Sequence, residues 1–429
     1  MMEKDKIIPR DALPKIEKLI DRREAFLIRG PRQSGKTTLL KILQEKLTAK
    51  GEVVFFNFED PDVLEAFEAD PKQYMESFMF KSGKHYFLID EYQYAKDPGK
   101  KLKLLYDTFK NVKFVVTGSS SLELSGAMAK FLVGRVFFFE LFPFSLHEFL
   151  VARDERLAKI HEQKNAAIRK FILHGEHVEH GEDIFVNELQ PLLEEYLIYG
   201  GYPAVVTAED AETKRAVLKG IYDTYVAKDV IEFLRFTDAF KYRDAVRALA
   251  ASIGGLVNYQ SLGSAIQSYF KELKRILSIL SETYILTLVR PFSTNPRTEL
   301  RKIPKVYFHD LGLRNHVINN FNPLNGRADA GAMVENLVLF GLMHAFPGEE
   351  VNYWRTIAKT EVDFVLRLGE QVVPVEVKYQ RFRKAKVSRG LRSFIRTYKP
   401  KRALVVTREL WAEDKLDRTE VLFVPACYL

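Results

Sequence analysis

The sequence predicts an α/β protein built from several domains, and three observations support this prediction. Residues 1–150 alternate short apolar runs with helical patterns, which favours a mostly parallel sheet covered by helices on both faces. Residues 151–238 carry a mainly helical pattern, and residues 239–328 add three helices and two short strands. Residues 329–429 alternate strands and helices again. We therefore expect four domains, with boundaries after residues 150, 238 and 328.

Composition limits the classes of protein to which the chain can belong. The 429 residues are 47% hydrophobic and 28% charged, which is typical of a folded globular protein. The net charge of +8 is compatible with a polyanionic partner. Cys427 is the single cysteine, which excludes an intramolecular disulfide and a cysteine-cluster metal site and favours a reducing cytoplasm. The most apolar stretch, residues 131–150, is interrupted by charged residues and proline and is a poor membrane span.

The first strand and helix enclose a glycine-rich loop. Residues 30–38 read GPRQSGKTT, between the apolar run of residues 25–28 and the helical pattern that begins at Leu39. This spacing is the G-x-x-x-x-G-K-[ST] phosphate loop, in which backbone N–H groups and a helix N-terminus surround phosphates. Lys36 would reach the β- and γ-phosphates, and the Thr37 hydroxyl would bind Mg²⁺. The residues predicted to bind ATP are Gly30, Pro31, Arg32, Gln33, Ser34, Gly35, Lys36, Thr37 and Thr38.

The strand predicted near residues 85–90 supplies the second half of such a site. It reads HYFLID and is followed by a second carboxylate, Glu91. Because the carboxyl ends of parallel strands meet at one edge of a sheet, Asp90 should lie near the phosphate loop. We expect Asp90 to hold the Mg²⁺ and Glu91 to act as the general base toward the attacking water.

Two later segments of this domain have open interpretations. The strand near residues 113–117 runs into Gly118 and residues 119–121, which are serines. Their hydroxyls could contact the γ-phosphate or could cap the next helix. Arg135 precedes the strand near residues 136–140. It could stabilise charge on the transferred phosphate, in its own subunit or a neighbour's, or it could be an ordinary surface arginine.

The helical region contains a polar stretch, residues 159–183, with four histidines. We interpret this stretch as a solvated loop rather than a metal site, because no converging carboxylates accompany the histidines. They are His161, His174, His177 and His180. The cluster Gly200–Pro203 predicts a turn that joins two helices.

Residues 239–328 resemble a winged helix-turn-helix in their order of elements. Helices are predicted over residues 244–253, 259–266 and 268–280, and strands over residues 284–289 and 305–308. Basic residues on the third helix and the wing would meet DNA phosphates, although this fold also serves protein packing. These residues are Lys271, Lys274, Arg275, Arg290, Arg297, Arg301, Lys302 and Lys305.

The last hundred residues contain a possible catalytic constellation. Residues 361–366 (EVDFVL) and 372–378 (VVPVEVK) alternate in polarity around a turn, which predicts a hairpin. The hairpin would bring Asp363, Glu376 and Lys378 together. The two carboxylates could bind Mg²⁺, and the lysine could orient or activate a water molecule. This is the D…E-x-K arrangement of restriction-endonuclease-like nucleases, to which Glu335 could add a carboxylate.

A tract of basic residues, uninterrupted by acidic ones, begins at Lys378. Eleven Lys and Arg residues lie between residues 378 and 402, with no acidic residue among them. A solvated helix face would normally mix both signs of charge. The tract therefore predicts contact with a phosphodiester backbone, and DNA is the expected partner.

The order of these motifs resembles a family of archaeal and bacterial AAA-type, STAND-related ATPases. The matching segments include GPRQSGKTTLL at residues 30–40, LIDEYQ at 88–93, YGGYPAVV at 199–206, PKVYFHDLGLRN at 304–315 and VPVEVKY at 373–379. The resemblance implies an ATP-binding P-loop domain, a helical lid, a winged helix and a C-terminal PD-(D/E)XK nuclease-like domain. It implies no reaction beyond ATP binding and hydrolysis, and it makes a homo-oligomer plausible.

The sequence thus predicts a Mg²⁺-dependent ATPase that acts on DNA, with cleavage by the C-terminal domain as a separate hypothesis. The catalytic candidates are Lys36, Glu91, Arg135, Asp363, Glu376 and Lys378, and the metal ligands are Thr37, Asp90, Asp363 and Glu376. One alternative is a nucleotide-switched module whose nuclease-like domain binds without cutting. Another is a signalling or chaperone-like ATPase with no nucleic-acid role.

Overall fold

A computed structural model describes residues 7–80, 83–118, 132–179, 181–224, 239–293, 303–382 and 384–429. These residues form two compact units. The first comprises residues 1–144 with 278–285, and the second comprises residues 145–277 with 286–429. Within the described part of the chain, no helix is both long enough and apolar enough to cross a membrane.

The first unit contains the predicted parallel sheet. Its strands are β1 (Ala25–Arg29), β2 (Glu52–Asn57), β3 (His85–Asp90), β4 (Val112–Gly118) and β5 (Val136–Glu140). They pair in the order β2-β3-β4-β1-β5, and every pairing is parallel. The predicted strand positions are confirmed to within a residue or so at each end. Only the central strand β4 separates β1 from β3, so the phosphate loop after β1 and the carboxyl end of β3 lie at the same edge of the sheet.

Both faces of this sheet are buried. The helices are α1 (Leu13–Leu19), α2 (Lys36–Leu47), α3 (Pro61–Ala69), α4 (Pro71–Glu76) and α5 (Pro98–Thr108). Along β3, Tyr86 and Leu88 enter one hydrophobic cluster, whereas Phe87 and Ile89 enter the other. The alternation follows from the two-residue period of a strand. The predicted cover on both faces is thus confirmed.

The second unit begins with helices. They are α6 (Leu146–Arg153), α7 (Glu155–His174), α8 (Phe185–Tyr199), α9 (Pro203–Val206) and α10 (Ala211–Ile221). The interpretation of residues 159–183 as a loop was wrong, because α7 covers most of that stretch and buries His161. Asp154 caps the N-terminus of α7, because its carboxylate accepts hydrogen bonds from the N–H groups of Arg156 and Leu157. His180 lies outside the described residues.

The predicted three helices and two strands of the winged-helix region are present. They are α11 (Ala239–Ala251), α12 (Tyr259–Ala265), α13 (Phe270–Glu282), β6 (Leu286–Val289) and β7 (Lys305–Phe308). The two strands pair antiparallel. Lys271, Lys274, Arg275 and Arg290 are exposed, as a role in phosphate binding requires. Lys305 is not, because it is buried and its ammonium group pairs with Glu361; Arg297, Arg301 and Lys302 lie outside the described residues.

A six-stranded mixed sheet forms the rest of the second unit. Its strands are β8 (Val351–Arg355), β9 (Glu361–Leu368), β10 (Gln371–Lys378), β11 (Arg402–Thr407), β12 (Ala412–Leu416) and β13 (Thr419–Pro425), in the order β12-β13-β11-β10-β9-β8. Two helices accompany it, α15 (Ala330–Ala345) and α16 (Arg389–Tyr398), after the short α14 (Leu311–Val317). The predicted hairpin is confirmed, since β9 and β10 pair antiparallel around Gly369.

A buried polar network explains two of the motifs, YGGYPAVV and PKVYFHDLGLRN. The Asp310 carboxylate caps α14 by accepting the N–H of Leu313 at 2.7 Å, and it also accepts the N–H of Gly201 at 2.7 Å. The Asn315 amide donates to the carbonyls of Leu197 and Ile198 at the end of α8. The turn after α8 and the start of α14 are therefore held together by hydrogen bonds, and we assign both motifs a structural role.

Gly312 tests this packing, because a side chain has no room there. A Cβ atom on Gly312 would lie 1.9 Å from the carbonyl oxygen of Tyr199, so Gly312→Ala should lower the free energy of unfolding by about 1–3 kcal/mol or more. Gly331→Ala is the matched control, since Gly331 is also the second residue of a helix and no atom lies within 4 Å of its added Cβ. Chemical denaturation would measure both variants. Equal stability of the two would contradict the close approach.

Candidate functional site

The phosphate loop turns between β1 and α2 through two left-handed residues. Gln33 has a φ of 59°, and Gly35, the N-cap of α2, has a φ of 92°. Gly30 is required for a different reason, because a Cβ there would lie 2.0 Å from the carbonyl oxygen of Leu141 at the end of β5. The loop is thus shaped by the sheet itself, as well as by the chemistry of phosphate binding.

Lys36 lies folded over this loop. Its ammonium group donates to the carbonyl oxygens of Gly30 at 3.0 Å and Pro31 at 2.8 Å, and the side chain is buried. Burial lowers the pKa of Lys36 to about 8, although the charges of Glu91 and Asp90 oppose the shift. The cation is therefore held next to the loop by weak carbonyl partners, which a phosphate would readily replace.

Asp90 joins the loop to the sheet. Its carboxylate accepts a hydrogen bond from the Thr37 hydroxyl at 2.6 Å and another from the Thr117 hydroxyl on β4. Asp90 is buried at the carboxyl end of β3. The structure thus brings together the two predicted ligands of the first Mg²⁺ site, a hydroxyl and a carboxylate, which are the hard oxygen donors that Mg²⁺ prefers.

Glu91 is held in a defined place beside Asp90. Its backbone has a φ of 53°, and its N–H donates to the Thr117 hydroxyl at 3.1 Å. Its carboxylate accepts a hydrogen bond from the Gln93 amide. Left-handed backbone at a non-glycine residue costs about 1–3 kcal/mol and is concentrated at functional sites. The geometry positions the Glu91 side chain independently of any ligand.

Sequence reasoning missed three residues that support this site. They are Thr117, Gln93 and Arg10, which donates to the carbonyl oxygens of Ser34 at 2.6 Å and Phe142 at 2.7 Å. A hydroxyl residue at the end of β4 was a usable signal for Thr117. Arg10 gave no signal, since its contacts join residues that are 24 and 132 positions apart in the sequence and belong to no common motif.

The other residues predicted to bind ATP differ in exposure. Pro31 and Ser34 are buried, and the Ser34 hydroxyl has no hydrogen-bond partner within the described structure. Gln33, Thr37 and Thr38 are exposed, and Arg32 is half-buried. An unpartnered buried hydroxyl next to Gly35 fits a loop that receives a ligand oxygen.

Arg135 lies far from the phosphate loop of its own chain. Its carbonyl accepts the N–H of Ala25 at the start of β1, and its guanidinium donates to Asp107 at 3.1 Å. The loop follows the other end of β1, about 16 Å away along a five-residue strand. This distance argues against action on phosphates bound by its own chain, and it leaves open a role in a neighbouring subunit or an ordinary surface arginine. Residues 119–121 lie outside the described residues.

A second site lies on the β9–β10 hairpin. The Lys378 ammonium lies 2.8 Å from Glu376 and 3.9 Å from Asp363, whose carboxylate also accepts the N–H of Val377 at 2.7 Å. The predicted trio is thus assembled. Burial and the charge of Asp363 raise the pKa of Glu376, against the effect of Lys378. One Glu376 oxygen, Oε2, is buried without a hydrogen bond of normal geometry among the described residues, and the Ser388 hydroxyl lies close enough to the carboxylate to lower the pKa of Glu376.

Glu335 and Lys305 extend this cluster. Lys305 Nζ lies 3.9 Å from the Glu335 carboxylate, which also accepts a 3.3 Å hydrogen bond from the Tyr307 hydroxyl. Burial, followed by the charge of Asp363, raises the pKa of Glu335 to about 7. Even so, no three His, Cys, Asp or Glu residues of the described chain are arranged to share one metal ion. The expectation that Glu335 adds a metal ligand is therefore not supported.

A bulge interrupts β9 at Asp363 and Phe364. Asn352 of β8 pairs with Val365 and Trp354 pairs with Val362, so Asp363 and Phe364 together face Tyr353. A bulge bends its strand and redirects side chains, and bulges are frequent next to active sites. The simple two-residue alternation assumed from the sequence holds from Glu361 to Asp363 and fails after Asp363, since Val362 and Val365 enter the same hydrophobic cluster.

Comparison with family models identifies the first unit. Residues 22–150 match a model described as an AAA domain. Residues 190–324 and 330–427 match two domains of unknown function, DUF8612 and DUF4143. Together with the phosphate loop and the Asp90–Glu91 pair, the first match makes residues 22–150 an AAA-type ATP-binding domain of the P-loop class.

Comparison with individual proteins assigns no function to this chain. The chain is 26% identical to an uncharacterized protein of Haemophilus influenzae over 409 residues, covering 93% of this chain and 92% of that protein. It is 25% identical over 386 residues to one of Methanocaldococcus jannaschii, covering 88% and 79%. The replication initiator DnaA, solved with AMPPCP and single-stranded DNA, overlaps 64% of this chain and 90% of its own, with 12% identity and a TM-score of 0.28. An overlap of that quality carries no structural argument.

The lowered pKa of Lys36 predicts that ATP binding depends on pH. Below pH 8 Lys36 of the free protein is already protonated. Above pH 8 it is mostly neutral, and because phosphates favour the ammonium form, the protein must take up a proton when it binds ATP. Affinity should then fall by up to about tenfold per pH unit. Calorimetry in buffers of different ionisation enthalpy measures the uptake. An uptake that stays at zero across the alkaline range would contradict the assignment.

Proposed function

We propose that this protein hydrolyses ATP and uses the resulting change of nucleotide state to act on DNA. The observation that carries the ATPase half is the hydrogen-bonded set formed by Thr37, Asp90, Thr117 and Glu91. It brings hydroxyl and carboxylate oxygens beside the loop residue Lys36. These are the group types that phosphoryl transfer needs for positioning and charge stabilisation.

The residues of this site have separable roles in the proposed reaction. The Lys36 ammonium would leave the Gly30 and Pro31 carbonyls for the phosphate oxygens. Thr37 and Asp90 would hold Mg²⁺, which neutralises charge on the phosphates when it is bound. Glu91 would accept a proton from the attacking water once the Gln93 amide releases its carboxylate.

Two substitutions should separate ATP binding from hydrolysis. Lys36→Ala should weaken ATP binding and abolish turnover, while Glu91→Gln should keep binding and lower turnover by about 10²–10⁴-fold, since it removes the general base. Lys41→Ala, an exposed lysine of the same helix, is the matched control. ATPase assays with and without single-stranded, duplex and branched DNA would measure the effects. Unchanged turnover in Lys36→Ala would reject the site.

The DNA half of the proposal is supported by two exposed basic surfaces of the second unit. On α16, Arg389, Arg392 and Arg396 lie exposed at helical spacing, and no ion pair involves them among the residues that the structure describes. On α13, Lys271 and Lys274 are exposed. Unneutralised arginines along one helix face are typical of phosphate-backbone contacts.

Some residues of the predicted basic tract do not contribute to the exposed basic surface on α16. Arg402 is buried and donates to the carbonyl of Leu173 and to Gln371, and Arg381 lies 3.5 Å from Glu409. Arg383 lies outside the described residues. The proposed contact therefore rests on α16 and the residues next to it.

A second candidate function, metal-dependent cleavage of the bound DNA, is favoured by one observation. The Glu376 and Asp363 carboxylates lie in the same cluster, and the buried Oε2 atom of Glu376 makes no hydrogen bond of normal geometry in the described structure, although the Ser388 hydroxyl lies near this carboxylate. A buried carboxylate oxygen fits a divalent cation, so Asp363 and Glu376 would hold Mg²⁺. Lys378 would then orient the attacking water.

The opposing observation is that Lys378 already pairs with the two carboxylates that would hold the metal ion. Its ammonium lies near both carboxylates, as expected of a scaffold that binds DNA without cutting it. With Mg²⁺ or Mn²⁺, a cleaving protein should nick or cut at least one DNA form, and Asp363→Asn and Glu376→Gln should abolish this while salt-dependent DNA binding persists. Cleavage that survives both substitutions would come from a contaminant. Binding without cleavage in the wild type would favour the non-cleaving module.

A catalytic role for Arg135 would depend on assembly of the protein into oligomers. Because Arg135 lies away from its own phosphate loop, a catalytic role would require a neighbouring copy of the chain. A signalling or chaperone-like ATPase without a nucleic-acid role is the remaining alternative. Failure to bind any of the three DNA forms at low salt would favour it.

A further inference from the structure

A cavity of about 670 Å³ opens on the second unit between α12 and α13. Its wall is made of aromatic rings, side-chain amides and hydroxyls, and it contains no acidic residue. The lining residues are Tyr259, Gln260, Gly263, Ser264, Gln267, Ser268, Tyr269 and Phe270. Neither the ATPase site nor the β9–β10 cluster uses any of them.

The turn between the two helices creates this cavity. Ser268 donates its N–H to the carbonyl of Gly263 at 2.9 Å, and Gln267 takes a left-handed φ of 50°. A Cβ on Gly263 would lie 3.0 Å from the Ser268 carbonyl oxygen, so the turn is tight. As a result Tyr269 and Phe270 face solvent, with 86% and 56% of their surfaces exposed.

The two aromatic residues are not equivalent. The Phe270 ring packs edge-on against Tyr259, with ring centroids 5.3 Å apart, and Lys274 lies 4.6 Å from the Phe270 centroid. Tyr269 is the more exposed of the two. Beside a cavity with polar groups in its wall, the exposed Tyr269 ring leaves its face free for stacking with a planar ligand.

The exposed charges beside the cavity are mainly positive, since the acidic Glu272 of the first turn of α13 is half-buried, accepts a hydrogen bond from the Ser268 hydroxyl and lies 3.9 Å from Lys241. Lys271 and Lys274 are exposed on the first turns of α13. Arg290, at the end of β6, lies close enough for its charge to oppose the effect of burial, which raises the pKa of the Tyr259 hydroxyl. The N-terminus of α13 adds a partial positive charge. An anionic ligand that carries an aromatic group would match both features.

We propose that this cavity binds an unstacked base of single-stranded or locally unpaired DNA, with Tyr269 as the stacking platform. The inference rests on the proposed action on DNA and names the form of DNA that is recognised. Amides and hydroxyls such as those of Gln260, Gln267 and Ser264 can meet the hydrogen-bonding edge of a base. The lysines would contact the flanking phosphates.

A protein partner is the competing occupant, and the lining argues against it. An acidic peptide would pair with the lysines beside the cavity. It would offer no planar group to stack on the Tyr269 ring and to form hydrogen bonds with the amides of Gln260 and Gln267. A base offers a π-face together with donors and acceptors at its edge, and base–aromatic stacking is tolerant of sequence.

Binding measurements on the full-length protein test the inference. The probes are a duplex, the same duplex with one unpaired nucleotide, that bulged duplex with the unpaired nucleotide made abasic, and a single strand. The variants are Tyr269→Ala, Tyr269→Phe, Arg392→Glu and, as a matched exposed aromatic of the first unit, Phe80→Ala. Fluorescence anisotropy at fixed salt gives each affinity.

The wild-type protein should bind the unpaired-base and single-stranded probes at least about fivefold more tightly than the duplex and the abasic probe. Tyr269→Ala should lose this preference, while Tyr269→Phe and Phe80→Ala should keep it. Arg392→Glu should weaken all probes in parallel. If the wild type binds DNA but treats the abasic and base-bearing probes alike, or if Tyr269→Ala keeps the preference, the cavity does not bind a base, although the proposed DNA function stands. If no probe is bound, the DNA function itself fails.

Discussion

The hydrogen bonds of Asp90 are the constraint on which the ATPase site depends. Thr37 donates to its carboxylate from α2 and Thr117 donates from β4, while Thr117 also accepts the N–H of Glu91. One buried carboxylate therefore connects the helix after the phosphate loop, the neighbouring strand and the candidate general base. A buried carboxylate without donors would be strongly destabilised, so these contacts are not optional. These contacts hold Asp90 and the Glu91 backbone in place, whereas the Lys36 ammonium and the Gln93 amide are the groups that would change partners in the proposed reaction.

The core of this site could be predicted from the sequence because its signals are local. The loop spacing, the apolar run of β3 and the two carboxylates after it are each contained within about ten residues, and the parallel sheet aligns their ends. The supporting residues are different. Arg10 reaches the Ser34 and Phe142 carbonyls across the fold, and Thr117 meets Asp90 from another strand. Such contacts depend on which strands become neighbours, and a single sequence does not specify this order.

Two misinterpretations in the second unit have distinct physical causes. Residues 159–183 looked like a loop because they are polar, yet α7 buries Leu157, His161, Ile168 and Phe171 on one face. Their helical spacing was the better signal, and composition obscured it. Lys305 looked like a phosphate contact because it is basic, but it lies on β7 against Glu361 and Glu335. In that case the sequence offered no signal, since the neutralising carboxylates belong to the C-terminal sheet and to α15.

The two lysines of the β9–β10 cluster, Lys305 and Lys378, have different roles. Four carboxylates, Glu335, Glu361, Asp363 and Glu376, face Lys305 and Lys378, with Arg355 3.1 Å from Glu361. Lys305 is buried, and removing its charge would leave Glu361 and Glu335 inside the protein with less compensation. Lys378 differs, because 41% of its side chain is exposed and it can turn toward solvent without movement of the backbone. Lys305 is therefore a fixed structural counter-charge. Lys378 is the group whose movement would uncover Asp363 and Glu376, so whether this cluster binds a divalent cation depends on the Lys378 side chain.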